Sequence, residues 1–383
     1  MQLRDTIHLL EQSLEGIANA LRKLCKTHRS TPMAARSNLQ QAVPISFGFK
    51  MARLLAQFKR HQHRLAALKS RLLVLQFSGA AGTLATITSD SSYNAPDEID
   101  GMPLALRCQE LLAAELGLEV PDIAWHTERD SLAEFANYLA VLTATCAKFA
   151  TDLKMMMQIE IGEAREPYVP HRGSSSTMPQ KRNPIGSAYI CAMASSVRAT
   201  ASGMVEAVVA DFERSTGAWE IEWIMLPKIV RRVHGNVRRL LISPQCALSH
   251  ACLMQTEYLL KGLEVDKEGM QRNLELSKGA IVSEAVMMGL GKTIGRQCKQ
   301  NGRNLILPAD WNPDAHDIVY ELCRQAQAED GSLLELLRQN EDIKRAGLSD
   351  EQLARLCDPA NYLGLSEVMV DRVLHTGGAH QAS

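Results

Sequence analysis

Apolar residues recur at the start of the chain with the spacing of an amphipathic helix. The intervals between them alternate between four and three residues, and the series runs through Leu3, Ile7, Leu10, Leu14, Ile17, Leu21 and Leu24. Such a heptad stripe is typical of a helix that packs along a neighbouring helix. No capping Ser, Thr or Asp stands before the stripe, so we expect this helix to continue from an upstream domain.

Further runs of helical periodicity follow a polar stretch at 27–41. We predict helices over about 47–77, 103–116 with an end at Gly117, 131–163, 185–212 and 219–241. Beyond residue 265 the predicted helices are shorter and are interrupted by glycines, and they include 317–339 and 365–375.

Helices of about thirty residues bury their apolar faces only by packing as a bundle. The predicted fold class is therefore all-α, with a central long-helix bundle domain over 1–265 and a small helical carboxy-terminal domain over 266–383. The apolar faces are so numerous that we expect several chains to share the bundle.

Composition restricts the class of partner. The 42 Lys and Arg nearly balance the 43 Asp and Glu, which excludes the strongly positive field of a nucleic-acid-binding protein. A hydrophobic fraction of 46% excludes a disordered chain. The nine cysteines form no C-x-x-C pair, so we predict neither a disulfide framework nor a metal site. The sequence shows no signal peptide and no membrane-spanning apolar run, which favours a cytoplasmic protein.

A long loop at 167–184 separates two of the predicted helices. It contains four prolines and four consecutive hydroxyl residues, a composition that excludes regular helix. Lys181, Arg182 and Asn183 are groups that bind carboxylates, and a serine can transfer a proton if backbone donors and Lys181 stabilise its ionised form. Composition alone leaves two alternatives open, a catalytic loop and a solvated linker.

The second half of this loop reads Ser175-Ser176-Thr177-Met178-Pro179-Gln180-Lys181-Arg182-Asn183-Pro184. The run resembles the signature S-S-x-M-P-x-K-x-N-P of the fumarase/aspartase superfamily, which includes argininosuccinate lyase and adenylosuccinate lyase. Further segments are similar to the branch of bacterial-type 3-carboxy-cis,cis-muconate cycloisomerases, namely 31–33, 39–44, 71–77, 125–130, 213–215 and 358–364. The resemblance covers nearly the whole chain.

The resemblance implies an enzyme without cofactor or metal that closes 3-carboxy-cis,cis-muconate, or a related polycarboxylate, to a lactone. One substrate carboxylate adds across a double bond, and the carbon next to another carboxylate is protonated. By resemblance, Ser175 transfers the proton, and Ser176, Thr177, Met178, Lys181, Asn183, Gln40, Ser37 and Arg214 bind substrate. Family active sites are assembled from several subunits, which implies a homotetramer with shared active sites.

Departures from the superfamily pattern bear on the reaction. Superfamily lyases carry a Thr-His pair where this chain has Ser37-Asn38, and a glutamate where it has Ala188. The cycloisomerase branch also lacks this acid/base pair, so the departures favour it over a fumarate-releasing lyase such as adenylosuccinate lyase. The family's amino-terminal domain has no counterpart in this chain, and the basic stretch 231–249 has no counterpart in the family. An inactive helical homo-oligomer is therefore a further alternative.

Several histidines and acids also admit structural interpretations. His28, just before the segment 31–33, is a candidate to bind or protonate substrate, although a lone histidine at such a position is as often structural. A catalytic and a structural role are equally compatible with His126. We expect His61 and His63 to be solvated, and Glu160 and Glu163 to form a solvated helix end instead of an acid pair.

Overall fold

The computed structural model describes residues 2–88, 98–168, 170, 177–178, 180–230, 248–291 and 315–376. Contacts divide the chain into two compact units. Unit 1 contains 1–20, 56–155 and 166–263, and unit 2 contains 21–55, 156–165 and 264–383. The division into domains 1–265 and 266–383 stays a prediction.

The described elements are mostly helical, as predicted. In chain order they are α1 (Gln2–Thr27), β1 (Pro32–Ser37), β2 (Gln40–Ser46), α2 (Phe47–Leu72), α3 (Ala85–Thr88), β3 (Glu98–Ile99), β4 (Met102–Pro103), α4 (Leu104–Leu116), α5 (Asp130–Met156), β5 (Ala164–Arg165), α6 (Ile185–Glu206), α7 (Ala218–Val230), α8 (Leu248–Lys261), β6 (Glu264–Val265), α9 (Lys267–Glu275), α10 (Ser283–Leu290), α11 (Ala315–Ala328), α12 (Leu333–Gln339), α13 (Glu341–Arg345), α14 (Asp350–Cys357) and α15 (Ser366–His375). Short 3-10 turns occupy Ala280–Val282 and Pro359–Asn361.

The heptad stripe at the start of the chain forms one face of α1. Its residues from Ile7 to Leu24 are all buried. The predicted end of α4 is confirmed as well, because Gly117 takes the left-handed conformation (φ 61°) and its N–H donates to the Ala114 carbonyl.

Several predicted helices end earlier than the periodicity suggested. The helix α2 ends at Leu72 because the next backbone groups pair elsewhere: Glu119 N–H donates to the Leu73 carbonyl (2.8 Å) and Leu75 N–H donates to the Glu119 carbonyl (2.9 Å). The predicted helix 317–339 is divided into α11 and α12, since Asp330 takes a positive φ of 56°.

Other ends also differ from the predicted ones. The helix α5 ends at Met156 and α6 at Glu206, while α7 is described to Val230. Residues 231–247, which hold most of the basic stretch and the rest of the predicted helix 219–241, lie outside the described residues.

In unit 1, α6 packs against α7 and α8. The buried face of α6 recurs every three or four residues and includes Ile190, Ala194, Val197 and Ala201. This spacing places one apolar stripe of the helix against its neighbours.

A buried ion pair joins the starts of α5 and α7 in unit 1. Arg129 donates from Nε and Nη2 to the two carboxylate oxygens of Glu222, each at 2.6 Å. The guanidinium also lies over the Trp125 ring, 5.1 Å from its centroid. The opposite charges offset much of the cost of burying each group, and the pair connects the segment 125–130, which carries part of the family resemblance, to α7.

Unit 2 contains a β-hairpin where the sequence showed only a polar stretch. The strands β1 and β2 are antiparallel, with Pro32 opposite Ser46 and Ser37 opposite Gln40, and the register shifts between Ala34 and Arg36. A second short pair, β5 with β6, belongs to the same unit. The helices α10 to α14 form an apolar core of their own around buried residues that include Leu290, Leu322, Leu333, Leu337 and Leu353.

Two further properties concern only the described part of the chain. None of its helices is long and apolar enough to cross a membrane. Its cysteines are free thiols.

The expectation that His61 is solvated is wrong. Its side chain is 2% exposed in α2, and Tyr138 donates from its hydroxyl to the His61 carbonyl (3.1 Å). Nε2 lies 2.9 Å from Thr145 Oγ1, which itself donates to the Val141 carbonyl. The hydroxyl therefore accepts from Nε2–H, and the ring is neutral. Burial, followed by the nearby Arg64 and Arg60, lowers the pKa of His61 to about 4.

This pKa predicts an acid-sensitive stability. Between pH 6.5 and about 4 the unfolded chain protonates His61 while the folded chain does not, so the free energy of unfolding falls as the pH falls. The loss amounts to about 3 kcal/mol and is complete below the folded pKa. Urea unfolding of His61→Gln across this range should show a shallower pH dependence than the wild type. The exposed neighbour offers a control, since His63→Gln should keep the wild-type slope, and equal slopes for all three proteins would contradict the assignment.

Candidate functional site

The signature loop is described at its carboxy-terminal end. Thr177, Met178 and Lys181 are exposed, and Asn183 is half-buried. The proposed catalytic Ser175, together with Ser176, lies outside the described residues, so their assignments stay predictions. Lys181 N–H donates to the Met178 carbonyl (3.1 Å), which turns the backbone just before α6.

The neighbouring Arg182 serves the loop itself. Its Nη2 donates to the Glu166 carbonyl (2.7 Å), and its guanidinium lies 5.4 Å from the centre of the Tyr168 ring. Of these two adjacent cations, Arg182 is the one that binds the loop. The Lys181 side chain is exposed at the surface.

The helix α6 begins directly after the loop and is capped by Glu166. The Glu166 carboxylate accepts the backbone N–H of Gly186 at Oε2 (3.0 Å) and that of Ser187 at Oε1 (2.6 Å). The residue at the N-cap position itself, Pro184, offers no side-chain hydrogen bond. A carboxylate from before the loop therefore performs the capping function.

Arg214 lies at a different loop of unit 1. Its Nε donates to the Ala80 carbonyl (2.8 Å) and its Nη2 to the Gly79 carbonyl (2.9 Å). The guanidinium that the family resemblance assigns to a substrate carboxylate binds two backbone carbonyls here. Its role as a substrate ligand stays a prediction.

His126 contacts the same loop. Gln76 Nε2 donates to its Nδ1, which leaves Nε2 as the protonated nitrogen, 3.2 Å from the Gly79 carbonyl. The preceding Trp125 donates from its indole nitrogen to the Leu75 carbonyl (2.9 Å). These contacts favour the structural interpretation of His126, because they orient the residues that follow α2.

The structure brings Ser37 and Gln40 together at the tip of the β1–β2 hairpin. Asn38 and Leu39 form the turn with positive φ values of 51° and 66°. A turn with two successive left-handed residues matches the twist of a two-residue hairpin. Ser37 and Gln40 are exposed, and the Leu39 side chain is 75% exposed. The sequence departure Ser37-Asn38 thus falls at an exposed turn of unit 2.

The expectation that Glu163 belongs to a solvated helix end is wrong. Its side chain is fully buried, and Arg36, the residue before Ser37, donates to both carboxylate oxygens (2.8 and 2.7 Å). Asn273 Nδ2 donates to Oε1 (2.8 Å). Gln41, the residue after Gln40, donates to the Asn273 carbonyl (2.7 Å). Both strands of the hairpin are therefore tied to one buried carboxylate network.

His28 is buried in unit 2. Its Nδ1 lies 3.2 Å from Thr31 Oγ1, and its ring meets Phe47 edge to face, with centroids 5.3 Å apart. Burial, and secondly the charge of Lys267, lower the pKa of His28. This environment favours a neutral, packed imidazole, and a part in substrate binding stays a prediction.

Three residues beside the candidate ligands make structural contacts that the sequence did not predict: Arg36 and Glu166 were not singled out, and Glu163 was assigned to a solvated helix end. Each lies next to a segment that the sequence did single out, but each acts through a partner far along the chain. Arg36 and Glu163 are 127 residues apart. Helical periodicity carries no signal for such a pair.

Removing Glu163 should destabilise unit 2 strongly. The variant Glu163→Ala leaves the Arg36 guanidinium and the Asn273 amide without their buried acceptor, which costs about 3–5 kcal/mol. Chemical denaturation monitored by circular dichroism measures this loss. As a control, Glu341→Ala removes an exposed partner of Lys344 and should destabilise the protein far less than Glu163→Ala. Equal losses in the two variants would show that the buried pair contributes little.

Comparisons with known proteins extend over nearly the whole chain. A family profile described as Lyase matches residues 1–199, and one described as Adenylosuccinate lyase C-terminus matches 313–373. Trans-aconitate decarboxylase 1 from Mycosarcoma maydis is 45% identical over 98% of this chain and 66% of its own length. The 3-carboxy-cis,cis-muconate cycloisomerase from Pseudomonas aeruginosa is 38% identical over 98% of this chain and 71% of its own.

A solved structure agrees with these matches. The 3-carboxy-cis,cis-muconate lactonizing enzyme from Pseudomonas putida superposes with a TM-score of 0.80 at 36% identity, covering 97% of this chain and 72% of that one. The chain thus spans about two thirds of the length of the decarboxylase and somewhat more of the two bacterial proteins. Matches of this identity and extent show that the chain belongs to the fumarase/aspartase superfamily and has its all-α fold.

Proposed function

We propose that this chain acts on a small unsaturated tricarboxylate and transfers a proton at a carbon next to a carboxylate. The observation that carries the proposal is the pair of relatives at 45% and 38% identity, whose names specify trans-aconitate and 3-carboxy-cis,cis-muconate. Both compounds bear three carboxylates and a double bond conjugated to a carboxylate. A shared fold is thereby linked to a shared class of substrate.

The described residues supply suitable ligands. In unit 1 the loop presents the Lys181 ammonium at the surface, with the Asn183 amide two residues away. In unit 2 the hairpin tip presents the Ser37 hydroxyl and the Gln40 amide. An ammonium and neutral donors of this kind stabilise the negative charge that develops when the carbon beside a carboxylate gains or loses a proton.

The first candidate reaction is the lactonisation of 3-carboxy-cis,cis-muconate. A carboxylate oxygen forms a bond to one carbon of a double bond, the electron pair moves toward the carbon next to another carboxylate, and that carbon takes a proton. No atom other than this proton enters or leaves, and it balances the carboxylate charge consumed. We assign the proton transfer to Ser175 and the stabilisation of the intermediate anion to Lys181 and Asn183.

The second candidate is the decarboxylation of trans-aconitate, which the 45% identity favours. Here the bond between a carbon and a carboxylate breaks, carbon dioxide leaves, and the electron pair left behind takes a proton. The product is an unsaturated dicarboxylate. In this proposal Ser175 donates the proton and Lys181 stabilises the anion in both candidate reactions. The two reactions then differ in which substrate carboxylate is held away from the reacting carbons.

Two alternatives are less well supported. A fumarate-releasing lyase of the adenylosuccinate type uses the acid/base pair that Ser37-Asn38 and Ala188 replace. Asn38 occupies a turn with φ 51°, and Ala188 is exposed on α6. An inactive helical oligomer predicts that neither tricarboxylate is consumed.

A direct assay separates these alternatives. Purified protein should consume trans-aconitate or 3-carboxy-cis,cis-muconate, followed by ultraviolet absorbance and by release of carbon dioxide. Carbon dioxide with trans-aconitate identifies the decarboxylase, whereas loss of conjugation without it identifies the cycloisomerase. Fumarate released from argininosuccinate or adenylosuccinate would overturn the proposal in favour of a lyase, and no turnover of any of these compounds would leave the inactive oligomer.

Ser175→Ala tests the assigned proton donor. Loss of a positioned proton-transfer group should lower kcat by about 10²–10⁴-fold. The matched control Ser202→Ala removes a hydroxyl from α6 that donates to the Ala199 carbonyl, and its kcat should stay at the wild-type value. Retained activity in Ser175→Ala would refute the assigned role.

We also propose a homotetramer, on the basis of the long helices of unit 1. Their surfaces expose large apolar side chains: Val141 on α5 (54%), Tyr189 on α6 (62%), Trp223 on α7 (59%) and Met254 on α8 (55%). Apolar residues exposed on successive helices are typical of surfaces that other subunits cover. The number of four subunits is taken from the superfamily resemblance.

Light scattering after gel filtration tests the assembly. The wild type should have the mass of four chains, and Trp223→Glu should lower it, because a charge placed in an apolar interface is costly to desolvate. Leu276→Glu places the same charge on an exposed leucine after α9 and should leave the tetramer intact. A monomeric wild type would exclude the proposed assembly.

A further inference from the structure

The helix α6 depends on a cap that its own sequence lacks. Pro184 at the N-cap position offers no side-chain acceptor, although the first turn of any helix leaves backbone N–H groups without intrahelical partners. The N–H groups of Gly186 and Ser187 donate instead to the two oxygens of Glu166, twenty residues before Gly186. A negative charge at this end of a 22-residue helix is also favourable to the helix dipole.

Glu166 contacts the end of the loop through its main chain as well. Its carbonyl accepts from Arg182 Nη2 (2.7 Å). Ile185 N–H, at the start of α6, donates to the Asn183 carbonyl (2.9 Å). The backbone of Asn183 is therefore joined to the same first turn that Glu166 caps, and the residue before it is held by the Glu166 carbonyl.

The glycine at 186 makes this close approach possible. A β-carbon at position 186 would lie 3.0 Å from Glu166 Oε2 and 2.7 Å from Gln255 Nε2. Any larger residue at this position must displace the carboxylate or the amide. Ser187, the other donor, is fully buried, and Glu166 Oε1 is the acceptor of its N–H.

We propose that Glu166 is the positioning residue of the signature loop. By capping α6 and holding Arg182, it fixes where the loop enters the helix and hence where Lys181 and Asn183 present their side chains. The inference rests on the proposed function, in which these two residues hold substrate carboxylates. Because a displacement of about 1 Å in a catalytic group costs about 10²-fold in rate, the cap acts on turnover without contacting the substrate.

Glu166→Gln tests the contact itself. The variant keeps the size of the side chain but replaces one acceptor oxygen by an NH₂ group that faces a helix N–H. Hydrogen exchange of the peptide 183–190, read by mass spectrometry, should be at least about tenfold faster at the first-turn amides, as expected for the loss of roughly 1.5 kcal/mol of protection. Glu206→Gln makes the same chemical change at the other end of α6 and should leave this peptide unchanged.

Turnover of the tricarboxylate tests the consequence. Glu166→Gln should lower kcat/KM by about 10- to 100-fold while its melting temperature stays close to that of Glu206→Gln. Gly186→Ala should weaken the same contact, since its β-carbon would lie 3.0 Å from Glu166 Oε2 and 2.7 Å from Gln255 Nε2 and so crowd the capping carboxylate. It provides an independent variant if Glu166→Gln does not fold.

The outcomes are distinguishable. Unchanged hydrogen exchange at 183–190 in both variants would show that Glu166 does not stabilise the first turn of α6. Faster exchange with unchanged kcat/KM would overturn its positioning role. If the wild type turns over neither tricarboxylate, the proposed function fails. The hydrogen-exchange comparison still decides whether Glu166 stabilises the first turn of α6.

Discussion

A carboxylate removed from water must be matched by donors, and this requirement organises the surroundings of Glu163. Its side chain is fully buried, and the bidentate contact with Arg36, together with Asn273, supplies the donors. Because Arg36 immediately precedes Ser37, the same contact sets the position from which the hairpin turn leaves β1. The hairpin also buries Met33 and Ala34, and Ala34 packs in a small apolar core with Leu274, Ile281, Val282 and Ala285, so apolar packing and the carboxylate network hold it together.

Unit 1 uses charge in the same way at the ends of its long helices. Glu166 caps α6, the Arg129–Glu222 pair joins the starts of α5 and α7, and Arg214 holds two carbonyls of the loop after α2. Long helices pack through apolar stripes, which fix the helices but not the loops between them. Charge-assisted hydrogen bonds, which have definite direction and length, fix the loops that carry the candidate chemistry.

Helices fixed by apolar packing and loops fixed by charged contacts are compatible with a superfamily in which one fold supports several reactions. Trans-aconitate decarboxylase and 3-carboxy-cis,cis-muconate cycloisomerase, by their names, perform different reactions on substrates of one class, and both match this chain over 98% of its length. A common proton donor and a common cation can serve both, provided that the loops hold the substrate carboxylates differently. The residues that set loop position are then as important for the choice of reaction as the groups that contact the substrate.

The sequence by itself determined the all-α class, most of the long helices, the end of α4 at Gly117 and the signature loop, because periodicity, glycine caps and proline content are local properties. Through family resemblance it also proposed Lys181, Asn183 and the hairpin residues Ser37 and Gln40 as substrate ligands, and these roles stay predictions. Only the tertiary structure decided that His61 and Glu163 are buried, that 32–46 is a hairpin, and that Glu166 caps α6. These outcomes depend on partners far along the chain, such as Arg36 and Glu163 at a separation of 127 residues, and no local pattern records which distant group will satisfy a buried charge.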